Sequence, residues 1–150
     1  LFTIYHERVP FVKTLMNSVS NRAQQRGQIR TLLGRLCRFH LWEPNQFGVH
    51  KALPFDQARQ EYGAGIKRAY TYKALNKLIQ GSAADMTKKS MLELYKEGIV
   101  AHIQVHDELD ISVEDDKKAE QIKQIMESAV ELEIPNKVDY ESGTNWGDIK

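Results

Sequence analysis

Two short runs of alternating apolar residues meet at Val105-His106-Asp107-Glu108, and that junction constrains the chain more than any other feature. Ile99, Ala101, Ile103 and Val105 fall at every second position before it; Leu109, Ile111 and Val113 do so after it. A period of two is the mark of a half-buried strand. Paired antiparallel, the runs predict a hairpin whose apolar residues share one face, with His102, Gln104, His106, Glu108 and Asp110 crowding the other. Asp107 then falls at or beside the turn. Neighbouring carboxylates raise one another's pKa, so a face this rich in acids should meet a cation or solvent, and a divalent metal is the simplest answer. Aspartate in a hairpin turn is also ordinary turn chemistry, and the junction by itself leaves both readings open.

The net charge of +1 conceals a division along the chain. Residues 1–98 hold 16 Lys and Arg against 7 Asp and Glu, a balance of +9, whereas residues 99–150 hold 5 against 13, a balance of −8. Such asymmetry suits a polyanion lying along the first part, its end delivered to an acidic, metal-loaded site in the second. The plainer alternative is a solvated basic surface followed by an exposed acidic helix. At 150 residues the chain is long enough for one domain with a core. No apolar run approaches a membrane span, and no signal peptide is expected at the N-terminus. The single Cys37 excludes an internal disulfide and is expected to be a packed small apolar residue. The chain opens on Leu1, as expected of a processed protein or a piece of a longer one.

Helix signals bracket three segments. The first runs from about Pro10 to about Arg26, with Gly27 as its stop and Phe11, Val12, Leu15, Met16 and Val19 as its apolar stripe. Gln28 to Leu33 and Leu36 to Leu41 follow as short extended segments joined around Gly34, and residues 43–54, with Pro44 and Pro54, are expected as a loop. A long helix is expected from about Tyr70 to Lys96, closed by Gly98. Gly81 in its middle costs about 1 kcal/mol against Ala, which points either to a close approach at that position or to a kink. Asp115 is the expected N-cap of a helix through about Leu132, ended by Pro135, with Ala119, Ile122, Ile125, Met126 and Ala129 inward. Lys137 to Glu141 is a predicted last strand, and residues 143–147 a closing turn. The order predicts an α+β fold: a small antiparallel sheet with helices on one face.

With Arg30-Thr31-Leu32-Leu33-Gly34-Arg35, then Gln80-Gly81-Ser82-Ala83-Ala84-Asp85, then Gln104-Val105-His106-Asp107-Glu108, nearly the whole chain resembles the C-terminal part of family A DNA polymerases. That family includes the bacterial polymerase I type and its phage and organellar relatives. The three segments resemble, in turn, the stretch after the fingers, the helix beside the primer-template, and motif C of the palm. On this resemblance residues 1–54 are the post-fingers helix and ribbon, 55–98 the template-primer-facing helices, and 99–150 the palm hairpin, helix and last strand. The wording of residues 37–42 leans toward a phage or environmental source, and the cytosol of a bacterium or phage-infected host is the implied compartment.

The resemblance implies roles. Asp107 ligates a pair of Mg²⁺ ions, with Glu108 as a supporting or water-mediated ligand; hard cations want oxygen donors, and two ions about 3.5–4 Å apart stabilise both the attacking 3′ oxygen and the leaving pyrophosphate. His106 contacts the primer's terminal phosphate. Asn76 and Gln80, four apart on one helical face, touch the template-primer, Gln104 reaches the minor groove, and Arg30 and Arg35 contact phosphates. The implied partners are primer-template DNA, a deoxynucleoside triphosphate and an N-terminal polymerase portion, in cis or in trans. Without the resemblance Asn76 and Gln80 are solvated helix residues and the arginines are surface charges. Trp146 is expected to anchor the C-terminus, while His102, Asp85 and Asp110 are expected to be structural or supporting. Tyr72 stands where many relatives carry a basic residue.

The family also uses a metal-binding Asp in motif A and a nucleotide-gripping fingers helix, and this sequence contains neither. The chain alone is therefore expected not to polymerise. Two other classes stand beside the leading one: a non-catalytic DNA-binding module, and a small metal-dependent phosphoesterase built on His106, Asp107 and Glu108.

Overall fold

The computed structural model describes residues 5, 7–46, 48 and 51–149. The chain divides into two compact units, Leu1–Ser82 and Ala83–Lys150.

The first unit opens with α1, Pro10–Arg26, at the predicted bounds. Pro10 stands in the first turn, where a missing N–H leaves no bond unmade. Gly27 ends the helix in the left-handed region at φ +67°, its N–H donating to Ala23 O at 2.9 Å. A side chain is excluded there for a second reason, since a Cβ would lie 2.6 Å from the Arg68 guanidinium carbon. Of the predicted stripe only Val19 is buried, joined by Ala23, while Phe11, Leu15 and Met16 remain exposed. The reason is where the core lies. Val19, Ala23, Ile29, Phe39 and Ala74 gather at the C-terminal end of α1, with Cys37 and Leu78 packed against them.

The expected ribbon forms as β1, Gln28–Arg30, antiparallel to β2, Leu36–Arg38, with Ile29 opposite Cys37. β1 is shorter than predicted because residues 31–34 turn tightly, Gly34 N donating to Thr31 O at 3.0 Å, and β2 begins as predicted but ends at Arg38, with Leu41 opening a separate strand. The expected loop at 43–54 is in part a sheet. β3, Leu41–Pro44, lies between β4, Leu53–Pro54, and β5, Ile66–Arg68, all antiparallel. Pro44 and Pro54 suggested a loop, yet each ends its strand, where a lost donor is tolerated. A short helix α2, Phe55–Tyr62, was not foreseen as a separate element. It carries Phe55, whose ring meets Trp42 edge-on at 5.1 Å, while the Arg68 guanidinium lies 4.5 Å over the Trp42 ring.

The long helix begins later than expected. Tyr70 takes φ +61°, Thr71–Lys73 make a 3₁₀ turn, and α3 runs Ala74–Lys96 without a break at Gly81. Its first turns belong to the first unit and the rest to the second.

In the second unit β6, Ile103–Val105, and β7, Glu108–Asp110, form the expected hairpin. Helix α4, Asp116–Ser128, is capped as predicted, Lys118 N donating to Asp115 Oδ1 at 2.7 Å. It stops four residues short of Leu132. The Ser128 hydroxyl bonds back to Gln124 O at 2.8 Å, the kind of local side-chain bond that competes with helix continuation. Leu94, Ile99 and Ile122 form this unit's core, with Leu109, Ile111, Val113, Ile125 and Met126 against it. The predicted strand Lys137–Glu141 does not form. Instead Val138 N donates to Glu127 Oε1 at 3.0 Å, a side-chain partner in place of a neighbouring strand. The closing turn is a 3₁₀ turn, Trp146–Asp148, capped by Asn145, and Trp146 is 62% exposed rather than an anchor. The class is α+β as expected, with three small antiparallel sheets among the described residues in place of one.

Candidate active-site hairpin

The pairing of β6 with β7 corrects the expected division of faces. Val105 stands opposite Glu108, Gln104 opposite Leu109 and Ile103 opposite Asp110, so the turn is the two residues His106-Asp107. Opposed residues share a face. Ile103 and Val105 therefore lie with Glu108 and Asp110, whereas Gln104 lies with Leu109. A single apolar face would need Asp107 alone at the apex of a three-residue turn, and a slip of one residue exchanges the faces of a strand. The consequence is visible in burial: Leu109, Ile111 and Val113 pack on the core, while Ile103 and Val105 stay exposed.

The turn itself is under backbone strain. His106 has φ +52°, a region that costs a non-glycine residue about 1–2 kcal/mol, and Asp107 is not among the positive-φ residues. That sign pattern matches a type II′ turn, whose first central position ordinarily takes glycine. The Gln104 side-chain amide donates to His106 O at 2.6 Å. His106, Asp107 and Glu108 are all exposed at the tip. Nearby, His102 Nε2 is 3.1 Å from Ser112 Oγ, and Asp110 is half-buried.

Two adjacent exposed carboxylates offer oxygen donors of the kind a hard divalent cation takes. Among the described residues no group of three or more His, Cys, Asp or Glu is placed to hold a metal ion. Asp107 and Glu108 thus fit such an ion as part of a ligand set.

The other site residues lie in the first unit. Asn76 and Gln80 are both exposed on α3, Lys77, also exposed, shares their side, and the exposed Lys73 stands in the 3₁₀ turn just before the helix. The Lys77 ammonium lies 5.1 Å over the Phe39 ring, and that of Lys73 lies 5.2 Å over Tyr70 and 5.6 Å over the exposed Tyr72. Arg30 donates to Gly34 O at 2.8 Å, across the turn that joins β1 to β2. Arg35 donates from Nη2 to Gly81 O at 2.8 Å, and its backbone N–H to Thr31 Oγ1 at 3.0 Å. The turn is thereby clipped to α3. Ser82 makes the second clip: its hydroxyl donates to Leu78 O at 2.7 Å and accepts from Leu32 N at 2.9 Å. Ser82 and Thr31 were not singled out as site residues, although the Gly81-Ser82 pair inside a helix was the signal for a close approach. That approach is real: a Cβ at Gly81 would lie 2.9 Å from Thr31 Cγ2.

Among the described residues no helix is long and apolar enough to cross a membrane. The fold and its hairpin define an α+β protein with an amide-rich basic helix side in one unit and an acidic turn in the other. The family model for DNA polymerase family A matches residues 1–148, and the chain belongs to that family. It is 37% identical over 147 residues to a DNA-directed DNA polymerase of Pseudomonas phage M6, covering 98% of this chain and 19% of that protein. Against DNA polymerase I of Bacillus caldotenax the identity is 34% over 155 residues, covering 97% of this chain and 16% of the relative. Among solved structures it is similar to the POL domain of Pol1 from M. smegmatis, in complex with DNA primer-template and dNTP. The TM-score is 0.70 at 28% identity, covering 97% of this chain and 24% of that one. The chain therefore spans under a fifth of the length of these curated relatives.

Proposed function

We propose that the chain is the motif C part of a DNA-directed DNA polymerase, which transfers a nucleotide from a deoxynucleoside triphosphate to a primer 3′-hydroxyl. The observation that carries this reading is the hairpin, whose two-residue turn puts Asp107 and Glu108 side by side at an exposed tip, in a chain matched to the polymerase family over nearly all its length. Asp107 and Glu108 hold Mg²⁺ together with an Asp supplied by an N-terminal portion, in cis or in trans. The bound ions supply charge that stabilises the attacking and leaving oxygens. His106 contacts the primer's terminal phosphate. Asn76 and Gln80 meet the template-primer, with Lys73 and Lys77 beside them for phosphate charge. Arg35, tied to Gly81 O, supports the turn before β2 as well as offering charge to the backbone of the nucleic acid. Residues 1–54, 55–98 and 99–150 serve as the post-fingers, template-primer-facing and palm segments, and the protein works in a bacterial or phage-infected cytosol.

The test joins the chain to, or mixes it with, an N-terminal polymerase portion carrying motif A and the fingers helix, and follows primer extension. Extension is expected only with both parts, and Asp107→Ala is expected to bring it to background. Salt-sensitive DNA binding without any extension, unchanged by Asp107→Ala, would instead identify a non-catalytic binding module. Metal-dependent cleavage by the isolated chain would identify a phosphoesterase.

A further inference from the structure

The turn that carries Asp107 is one whose shape its own residues do not favour. His106 occupies the positive-φ position that a type II′ turn ordinarily gives to glycine. Types II′ and I′ share a positive φ at the first central residue and differ by a rotation of the peptide between the two central residues. Here that peptide joins His106 to Asp107. Its carbonyl oxygen is His106 O, the atom to which Gln104 Nε2 donates at 2.6 Å. Because the peptide is planar, holding His106 O also holds the Asp107 N–H and hence the φ of Asp107, which aims its Cα–Cβ bond.

We propose that Gln104 is a positioning residue: its side-chain amide locks the central peptide of the hairpin turn and so sets the direction of the Asp107 carboxylate. One amide hydrogen is committed to the turn. The minor groove presents mainly acceptors, which would compete for the same kind of donor, so holding the turn and reading bases draw on one small group. Neighbouring geometry agrees with the locking role. Gln104 pairs across the ladder with Leu109, which packs on the core of the second unit, so the clamp starts from the anchored side of the hairpin. The inference rests on the reading of Asp107 as a metal-holding residue only for its effect on catalysis; the lock itself belongs to the chain as folded.

Gln104→Met keeps length and bulk while removing the donor, and two measurements test it. In the 150-residue chain, the backbone ¹³C shifts of His106 and Asp107 are expected to change in Gln104→Met, with Asp107 moving toward the positive φ of a type I′ turn while His106 keeps its own. In a His106→Gly background, where the turn no longer needs a lock, the same change is expected to move them little. Unchanged shifts in Gln104→Met would overturn the lock. In the reconstituted polymerase, Gln104→Met is expected to raise the Mg²⁺ concentration for half-maximal rate several-fold, with primer-template affinity within about twofold of the parent. Weakened DNA affinity with an unaltered Mg²⁺ requirement would overturn the positioning role in favour of base contact. If the parent complex extends no primer, the polymerase reading fails, and the shifts alone decide the lock.

Discussion

Thr31 and Gly81 meet so closely that a Cβ at Gly81 would stand 2.9 Å from Thr31 Cγ2. Thr31 is buried, and its hydroxyl is engaged with Arg35 N, so its methyl has little room to withdraw. Gly81→Ala gains about 1 kcal/mol of helix propensity against an overpacking cost of about 1–3 kcal/mol. The expected result is a net loss of stability, seen as a lower denaturation midpoint. In a Thr31→Ser background, which keeps the hydroxyl and deletes the methyl, the same change is expected to be neutral or stabilising.

Leu94 is the largest fully buried side chain of the second unit, at 1% exposure between Ile99 and Ile122. Leu94→Ala leaves a cavity as well as losing transfer energy, and about 2–5 kcal/mol of destabilisation is expected. Amide exchange across β7 and α4 is the measurement that localises the loss to this unit.

Glu93 is expected to give the long helix a dependence on pH. Hydrogen bonding to Lys89 and then to Lys96 holds its carboxyl below the ordinary value of 4.5. A carboxylate with a depressed folded pKa contributes stability above the unfolded pKa and loses it as pH falls through the folded one. The pairs are solvent-exposed, and a Lys preceding Glu by four residues is the weaker orientation. Glu93→Gln is therefore expected to lower helix content slightly near neutral pH, with parent and variant converging below pH 4.5 in a circular dichroism titration.

Lys77 shares the side of α3 that carries Asn76 and Gln80, and Lys73 stands in the 3₁₀ turn just before it. If that side meets phosphates, removing one cation reduces the slope of log affinity against log salt by about 1. Lys73→Gln and Lys77→Gln are each expected to do so in primer-template binding, while Asp107→Ala leaves the slope unaltered. An unchanged slope in both lysine variants would move the nucleic-acid face elsewhere.

Much of the local structure was legible from residue order. Pro10 and Gly27 bracket α1 as read, Asp115 caps α4, and Gly81 marked a close approach. These signals work because each depends on one residue and its near neighbours: a fixed φ, a left-handed φ, a capping oxygen, a missing Cβ. The sheet around β3 was not legible, since its prolines suggest a loop until their positions at strand ends are known. Nor was the absent last strand, because Val138 and Tyr140 alternate as a strand would, and only the folded chain shows Val138 N taking a side-chain partner.

At the hairpin the two contributions separate cleanly. Sequence alone determined that an acidic turn joins two alternating runs, and with the two motifs before it, which family the chain belongs to, because those depend on residue identity and spacing. Tertiary structure decided the register, since alternation allows a two- or a three-residue turn and a shift of one exchanges the faces. It also decided which side is buried, through Leu109 and its neighbours packing on Leu94, Ile99 and Ile122. The bond from Gln104 to His106 O depends on a backbone angle no pattern of residues displays, so only the folded turn revealed it.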